Sequence, residues 1–172
     1  MSAGAESIHH LDLVVSSLER SLTFYRELLR PLGYVREGAI RGERGEVVVY
    51  LNPIAGGCAI GLREAQSDAH ALPYDRYGVG VHHVAFTAFS RWMVDERAAW
   101  LREQGVAIES GPAEYDYIPG YYAVFFADPD GIKLEILHRP EDPDLAGTVL
   151  QLAERLEALE ARLAEGQNRQ SG

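Results

Sequence analysis

Three residues of this 172-residue chain have the types and positions expected of a metal site: His10, His83 and Glu135. Each lies in a segment where apolar and polar residues alternate, as in a half-buried β-strand. Because successive side chains of a strand face opposite sides, all three are expected to point away from the apolar face. Two imidazoles and one carboxylate leave coordination positions open for water and substrate, which favours chemistry or ligand capture.

A simpler interpretation exists for each residue taken alone. A histidine on a strand is more often a hydrogen-bonded core residue than a ligand, and a strand glutamate is usually solvated. The joint pattern favours the metal. His10 and His83 occupy matching positions in two similar segments, and Glu135 is predicted to face the same way.

Those segments begin two copies of one pattern, which fixes the architecture more firmly than single propensities do. Each copy continues with an amphipathic helix, which Ser17 caps in the first, then a glycine, Gly33 or Gly105, and three strands. Aligning the two final strands puts Gly61 opposite Glu135, so the fourth symmetry-related position has no side chain. We predict an α+β domain over 7–139, with module one at 7–63, a connection at 64–79 and module two at 80–139.

These motifs resemble the vicinal oxygen chelate superfamily. The resemblance lies in His-His-Leu-Asp-Leu-Val-Val at 9–15, His-His-Val-Ala-Phe at 82–86 and Asp-Pro-Asp-Gly-Ile-Lys-Leu-Glu-Ile at 128–136. The superfamily includes glyoxalase I, extradiol dioxygenases, fosfomycin thiol transferases, methylmalonyl-CoA epimerase and bleomycin-resistance proteins. The resemblance implies two βαβββ modules forming an open mixed β-barrel around one divalent ion (Fe, Mn, Ni, Zn or Co), with His10, His83 and Glu135 as its ligands.

Departures from the family pattern bear on the reaction. Gly61 stands where glyoxalase I and the epimerase have a fourth ligand. Fosfomycin thiol transferases grip a phosphonate with Lys and Arg, and Lys133 is the only lysine here. Extradiol dioxygenases place a tyrosine near the substrate, and three tyrosines are candidates for that contact: Tyr117, Tyr121 and Tyr122.

The resemblance implies a metal-dependent lyase, isomerase or ring-cleaving dioxygenase acting on a small substrate with vicinal oxygens. Asp12, two residues after a ligand, is the candidate general base or water-positioning group, and the alternative is a hydrogen-bond partner that orients His10. For Tyr122 the alternative is packing of its ring in the core. A second hypothesis is a non-catalytic protein of the bleomycin-resistance type that sequesters a planar aromatic compound. A third is an oligomerisation or regulatory module.

The bulk composition limits the partners. A formal charge of -10, with no run of Lys or Arg, disfavours nucleic acid and anionic membranes. Residues 1–7 carry no signal-peptide pattern, and no stretch approaches the roughly 20 apolar residues of a membrane helix. We therefore expect a cytoplasmic protein with a small-molecule substrate.

A further segment follows Pro140. Apolar residues recur there at alternating spacings of three and four, which predicts a helix over 144–165 with a short coiled-coil seam or with one face folded onto a barrel. Exposed leucines on that stripe favour a homodimer or a higher homo-oligomer, and residues 166–172 are predicted to be a disordered tail. The stripe consists of Val149, Leu152, Leu156, Leu159 and Leu163.

Overall fold

A computed structural model describes residues 8–66 and 74–140 of the chain. The predicted C-terminal helix at 144–165, the tail at 166–172 and part of the connection between the modules lie outside the described residues. Within them, each module has the predicted order of strand, helix and three strands.

The first module begins with β1 (His10–Val15) and helix α1 (Leu18–Leu29), followed by a short 3-10 turn (Arg30–Leu32) and strands β2 (Tyr34–Arg41), β3 (Val47–Pro53) and β4 (Ala59–Glu64). The second consists of β5 (Val84–Thr87), α2 (Arg91–Glu103), β6 (Ile108–Glu114), β7 (Tyr122–Ala127) and β8 (Lys133–His138). Ser17 accepts a hydrogen bond from the Arg20 amide, so the predicted cap of α1 is confirmed. Gly33 and Gly105 both have the predicted positive φ, at 92° and 73°.

Each module forms its own four-stranded mixed sheet, and the described strands do not close into one hydrogen-bonded barrel. The strand orders are β1-β4-β3-β2 and β5-β8-β7-β6. In both sheets the first strand runs parallel to the last, and the remaining pairs are antiparallel. The first and last strands of each module therefore lie side by side, which brings residues distant in sequence onto neighbouring positions.

One hydrophobic core lies between the helices and one face of each sheet. The apolar alternation of the strands supplies this face, as predicted. Its members on the first and last strands are Leu11, Leu13, Val15, Ile60 and Leu62 in module one and Val84, Phe86, Leu134 and Ile136 in module two. The opposite faces of the sheets, called here the concave faces, carry His10, His83 and Glu135.

Candidate functional site

The structure brings Glu135 and His83 together on the concave face of module two. Glu135 lies on β8 opposite Phe125, and the residue is only 2% exposed. Its Oε2 atom lies 3.3 Å from Nε2 of His83. Leu134 and Ile136 point into the core, so strand alternation forces the Glu135 carboxylate to the other side of the sheet. There it meets His83, the residue that precedes β5.

Tyr121 holds the second oxygen of this carboxylate. Its hydroxyl donates a hydrogen bond of 2.6 Å to Oε1 of Glu135. Burial first, and then this hydrogen bond, raise the pKa of Tyr121 well above its ordinary value, so the phenol stays protonated at neutral pH. Tyr121 therefore leaves Oε2 as the oxygen of Glu135 that faces His83.

The rings of Tyr115, Tyr117 and Tyr121, called here the aromatic wall, lie beside this carboxylate. Tyr117 stacks on Tyr115 with ring centroids 5.6 Å apart and meets Tyr121 edge to face at 5.3 Å. The Tyr117 side is open, since this residue is 65% exposed. Two of the three tyrosines predicted to bind substrate, Tyr117 and Tyr121, thus lie together at the carboxylate.

Tyr122 lies on the other face of its strand. Its hydroxyl donates a 2.7 Å hydrogen bond to Asp95 on α2, and the Arg91 guanidinium lies over its ring. The hydrogen bond to Asp95 and burial raise the pKa of Tyr122. This position on the helix side of the sheet favours the alternative of ring packing over a contact with substrate.

Module one arranges its two predicted residues differently. His10 meets Tyr50 edge to face at 5.5 Å. Asp12 forms an ion pair with Arg63 and accepts a longer hydrogen bond, 3.4 Å, from the Tyr50 hydroxyl. Asp12 forms no hydrogen bond with His10, so it is held by the guanidinium rather than by the imidazole. One of its oxygens, Oδ1, is buried without a hydrogen-bond partner in the described residues.

Three residues around Asp12 were not predicted: Arg63, Tyr50 and Glu46. Arg63 also pairs with Glu46 at 2.9 Å, so one guanidinium is shared between two carboxylates. Strand alternation could have predicted Arg63, because it lies two residues after Gly61 and therefore shares its concave face. Lys133, the only lysine available for a phosphonate grip, pairs with Glu109 at 3.0 Å.

Each histidine on a concave face also touches the histidine before it. The Nδ1 atoms of His9 and His10 are 2.9 Å apart, and those of His82 and His83 are 2.8 Å apart. In His83 this contact leaves Nε2 as the nitrogen that faces Glu135.

The chemistry of the groups around Glu135 fits a divalent cation. A buried carboxylate is costly unless a cation or proton compensates it, and among the described residues its ion pairing involves His83 alone. Ligands held about 2.0–2.2 Å from one ion lie roughly 3.0–3.5 Å from each other, and the 3.3 Å separation of Nε2 and Oε2 agrees with that. However, the described residues of one chain contain no group of three or more His, Cys, Asp or Glu side chains placed to hold a metal. His10 therefore does not complete the site within that part of a single chain.

Comparison with known proteins places this chain in a family. The sequence pattern of the Glyoxalase/Bleomycin resistance protein/Dioxygenase superfamily matches residues 7–136. Among curated relatives, the uncharacterized protein YqjT of Bacillus subtilis is 30% identical over 139 residues, covering 76% of this chain and 97% of the relative. Metallothiol transferase FosB of Staphylococcus epidermidis is 30% identical over 135 residues, covering 76% of this chain and 82% of the relative.

Solved structures support the same fold. A glyoxylase/bleomycin resistance protein/dioxygenase domain from Frankia sp. EAN1pec superposes with a TM-score of 0.65 at 24% identity, covering 78% of this chain and 98% of that one. No helix among the described residues has the length and apolar character needed to span a membrane.

Proposed function

Because this chain belongs to the Glyoxalase/Bleomycin resistance protein/Dioxygenase superfamily, we propose that it is a divalent-metal-dependent enzyme acting on a small substrate with vicinal oxygens. His83, Glu135 and His10 are the proposed ligands. The supporting observation is the buried Glu135 carboxylate, which faces an imidazole nitrogen at 3.3 Å and has no Lys or Arg partner among the described residues.

The protein groups around the ion have separate tasks in this proposal. When bound, the ion acts as a Lewis acid that stabilises negative charge developing on the substrate oxygens. Tyr121 fixes Glu135 so that one oxygen faces the ion. Tyr117 offers an exposed ring for the apolar part of the substrate. Asp12, whose Oδ1 is buried without a hydrogen-bond partner in the described structure, is the group proposed to position a water or accept a proton.

The third ligand is proposed to come from a second copy of the chain. His83 and Glu135 belong to module two and His10 to module one, and within the described residues of one chain the three do not form a group. The concave face of module one also carries Val14 and Ile40, which are 56% and 54% exposed. A partner's module two laid against this face covers that apolar surface and completes the site in a homodimer.

Metal analysis tests the ligand set. After loading with Zn(II) and desalting, the wild type should retain one ion for each site, whereas His10→Ala and Glu135→Ala should retain little. Glu114→Ala, which removes an exposed carboxylate paired with Arg91, is the matched control and should bind as the wild type does. Equal zinc content in all four proteins would refute the proposal.

Mixing two defective variants tests whether two copies share the site. If His10 comes from the partner, a refolded equimolar mixture of His10→Ala and Glu135→Ala should recover roughly a quarter of the wild-type zinc content, because each mixed dimer has one intact site. Sites within one chain predict no recovery. That second result would contradict the shared site and leave the ligand assignment intact.

The reaction type is tested with the loaded protein. Anaerobic loading with Fe(II), followed by a panel of catechols and oxygen, should give ring-cleavage colour if the enzyme is a dioxygenase. An absence of colour across the panel would favour a lyase or isomerase. Thiol transfer to a phosphonate, as the FosB relatives suggest, is less favoured because carboxylates already pair with Arg63 and Lys133.

The aromatic wall favours one alternative, a protein that sequesters a planar compound without turnover. The exposed Tyr117 ring, backed by Tyr115, suits stacking with such a molecule. This alternative predicts binding that survives a chelator and weakens in Tyr117→Ala. The metal-enzyme proposal predicts that chelation abolishes productive binding.

A further inference from the structure

The two modules share a feature that the proposed metal site does not use. In each, a histidine pair precedes or opens the first strand, and the two rings meet through their Nδ1 atoms. The separation is 2.9 Å for His9 and His10, and 2.8 Å for His82 and His83. The rings are nearly perpendicular, at 90° and 80°. The same arrangement therefore occurs at both proposed histidine ligands.

A contact of this length between two ring nitrogens is a hydrogen bond with one donor and one acceptor. A neutral imidazole carries its proton on one nitrogen and a lone pair on the other. Nε2 of His83 faces Oε2 of Glu135, and it needs its lone pair to bind a metal. With an ion bound there, Nδ1 of His83 would carry the proton and Nδ1 of His82 would accept it, whereas without an ion Nε2–H of His83 can donate to the Glu135 carboxylate.

We propose that His9 and His82 are positioning residues, each of which fixes the tautomer of the histidine after it. By accepting a hydrogen bond from Nδ1–H, they leave Nε2 of His10 and His83 free for the ion. Metal-binding histidines commonly have such a partner on the second nitrogen, usually a carboxylate or a carbonyl. Here an imidazole fills that role. The inference rests on the proposed metal-dependent function.

The surroundings of His82 keep its ring available for this task. The ring meets Tyr77 edge to face at 5.5 Å, and the Tyr74 hydroxyl donates to the backbone carbonyl of the same residue at 2.9 Å. No carboxylate is hydrogen-bonded or ion-paired to His82 among the described residues, so the hydrogen-bond partner of its Nδ1 there is His83.

Two substitutions of His82 separate hydrogen bonding from ring packing. His82→Phe keeps a ring beside Tyr77 but removes the acceptor. His82→Asn loses the ring but places an amide oxygen at the same number of bonds from the backbone as Nδ1. His138→Phe is the control. The His138 side chain lies on the face of β8 opposite to that of Leu137 and Glu135, and its Nδ1 faces the carbonyl of Ala88.

The first measurement is the exchange rate of the Nδ1–H proton of His83 in the Zn(II)-loaded protein, followed in ring ¹H–¹⁵N spectra, because a hydrogen-bonded N–H is protected from exchange with water. We expect slow exchange in the wild type and in His82→Asn, and fast exchange in His82→Phe, which has no acceptor. Equally fast exchange in the wild type and in His82→Phe would overturn the inference, and the zinc content of the same samples tests the proposed function separately.

The second measurement is Co(II) affinity, followed by the absorption of the bound ion. We expect His82→Phe to bind about 10- to 100-fold more weakly, with His82→Asn restored toward the wild type and His138→Phe unchanged. Wild-type affinity in His82→Phe would overturn the positioning role and leave the metal site standing. A wild type that binds no Co(II) would overturn the proposed function, and the inference with it.

Discussion

The two modules place an acid at the same point of the same fold but on different strands. In module two Glu135 lies on the last strand, opposite Ala85 on the first. In module one Asp12 lies on the first strand, opposite Gly61 on the last. The small residue and the acid have exchanged places.

The partners of the two acids differ accordingly. Asp12 meets a guanidinium supplied by the chain itself, that of Arg63. Glu135 meets only a tyrosine hydroxyl and an imidazole among the described residues. Module one thus pairs its acid with a cation of its own, whereas module two leaves a buried carboxylate without a Lys or Arg partner among the described residues. A repeated fold does not require a repeated site.

The largest expected effect contrasts the two acids directly. Glu135→Gln keeps the size of the side chain but removes the charge, so we expect Co(II) affinity to fall by more than about 100-fold, beyond the effect of losing a supporting residue. Asp12→Asn should change it by less than about 10-fold, because Asp12 is held by Arg63. Titration of both variants with Co(II) measures the two affinities. Similar losses in the two variants would contradict the division of roles between the modules.

The two tyrosines that contact these acids give the next effect. The Tyr121 hydroxyl lies 2.6 Å from Glu135, whereas that of Tyr50 lies 3.4 Å from Asp12. Tyr121→Phe frees the carboxylate to rotate, and we expect Co(II) to bind about 10-fold more weakly. Tyr50→Phe should leave the affinity within about 2-fold, since it removes a weaker bond from an acid outside the proposed ligand set. Equal affinities of the two variants would show that Tyr121 does not orient Glu135.

The sequence predicts the strand faces on which this difference between the modules rests more readily than the side-chain contacts that produce it. Strand alternation predicted the core faces and the position of Glu135 beside His83, because the period of two follows from backbone geometry alone. The repeat predicted that Gly61 matches Glu135, and the strand registers agree. The repeated order of strand, helix and three strands was therefore accessible from residue patterns, whereas the arrangement of the sheets was implied by the family resemblance; the family comparisons confirm the fold.

Contacts between side chains were harder to predict. The ion pair of Arg63 with Asp12 joins residues 51 positions apart, and it depends on rotamers that a sequence pattern does not specify. Tyr121 and Tyr122 were both predicted to bind substrate, although adjacent strand residues face opposite sides. The register of β7 against β8 decides which of them faces Glu135, because Phe125 lies opposite Glu135 and alternation then puts Tyr121 on the same face. The metal-ligand set itself stays a prediction until binding is measured.

A glycine substitution probes why module one has no residue matching Glu135. A Cβ on Gly61 would overlap Oδ1 of Asp12 and come within 2.7 Å of Cε1 of Tyr50. We therefore expect Gly61→Ala to lower the free energy of unfolding by about 1–2 kcal/mol, through displacement of the Asp12 ion pair. Urea denaturation measures it. Gly38→Ala is the control, since a Cβ there meets nothing within 4 Å, and it should be neutral or slightly stabilising.

The double variant Gly61→Ala, Asp12→Ala sharpens this test. Removing the Asp12 carboxylate makes room for the new Cβ, so the two changes should be less destabilising together than the sum of their separate effects. Strict additivity would mean that Asp12 is not what keeps position 61 small.

The smallest effect concerns the turns before the last strands, which also differ between the modules. In module one the Tyr34 hydroxyl donates to the backbone carbonyl of Cys58. In module two the turn carries Asp128, a buried carboxyl that accepts a 2.9 Å hydrogen bond from Tyr25 of α1. Burial outweighs the hydrogen bonds that Asp128 accepts and raises its pKa.

The sign of the resulting pH dependence follows from linkage. Because the folded protein holds the Asp128 proton more tightly than the unfolded chain, this carboxyl favours the folded state below the unfolded pKa, about 4. That contribution is lost as pH rises through the folded pKa. The free energy of unfolding of the wild type, minus that of Asp128→Asn, should therefore decrease as pH rises from about 4 and then level off. Urea denaturation of both proteins at several pH values measures this difference, and an increase over the same range would show that hydrogen bonding to the charged form outweighs burial.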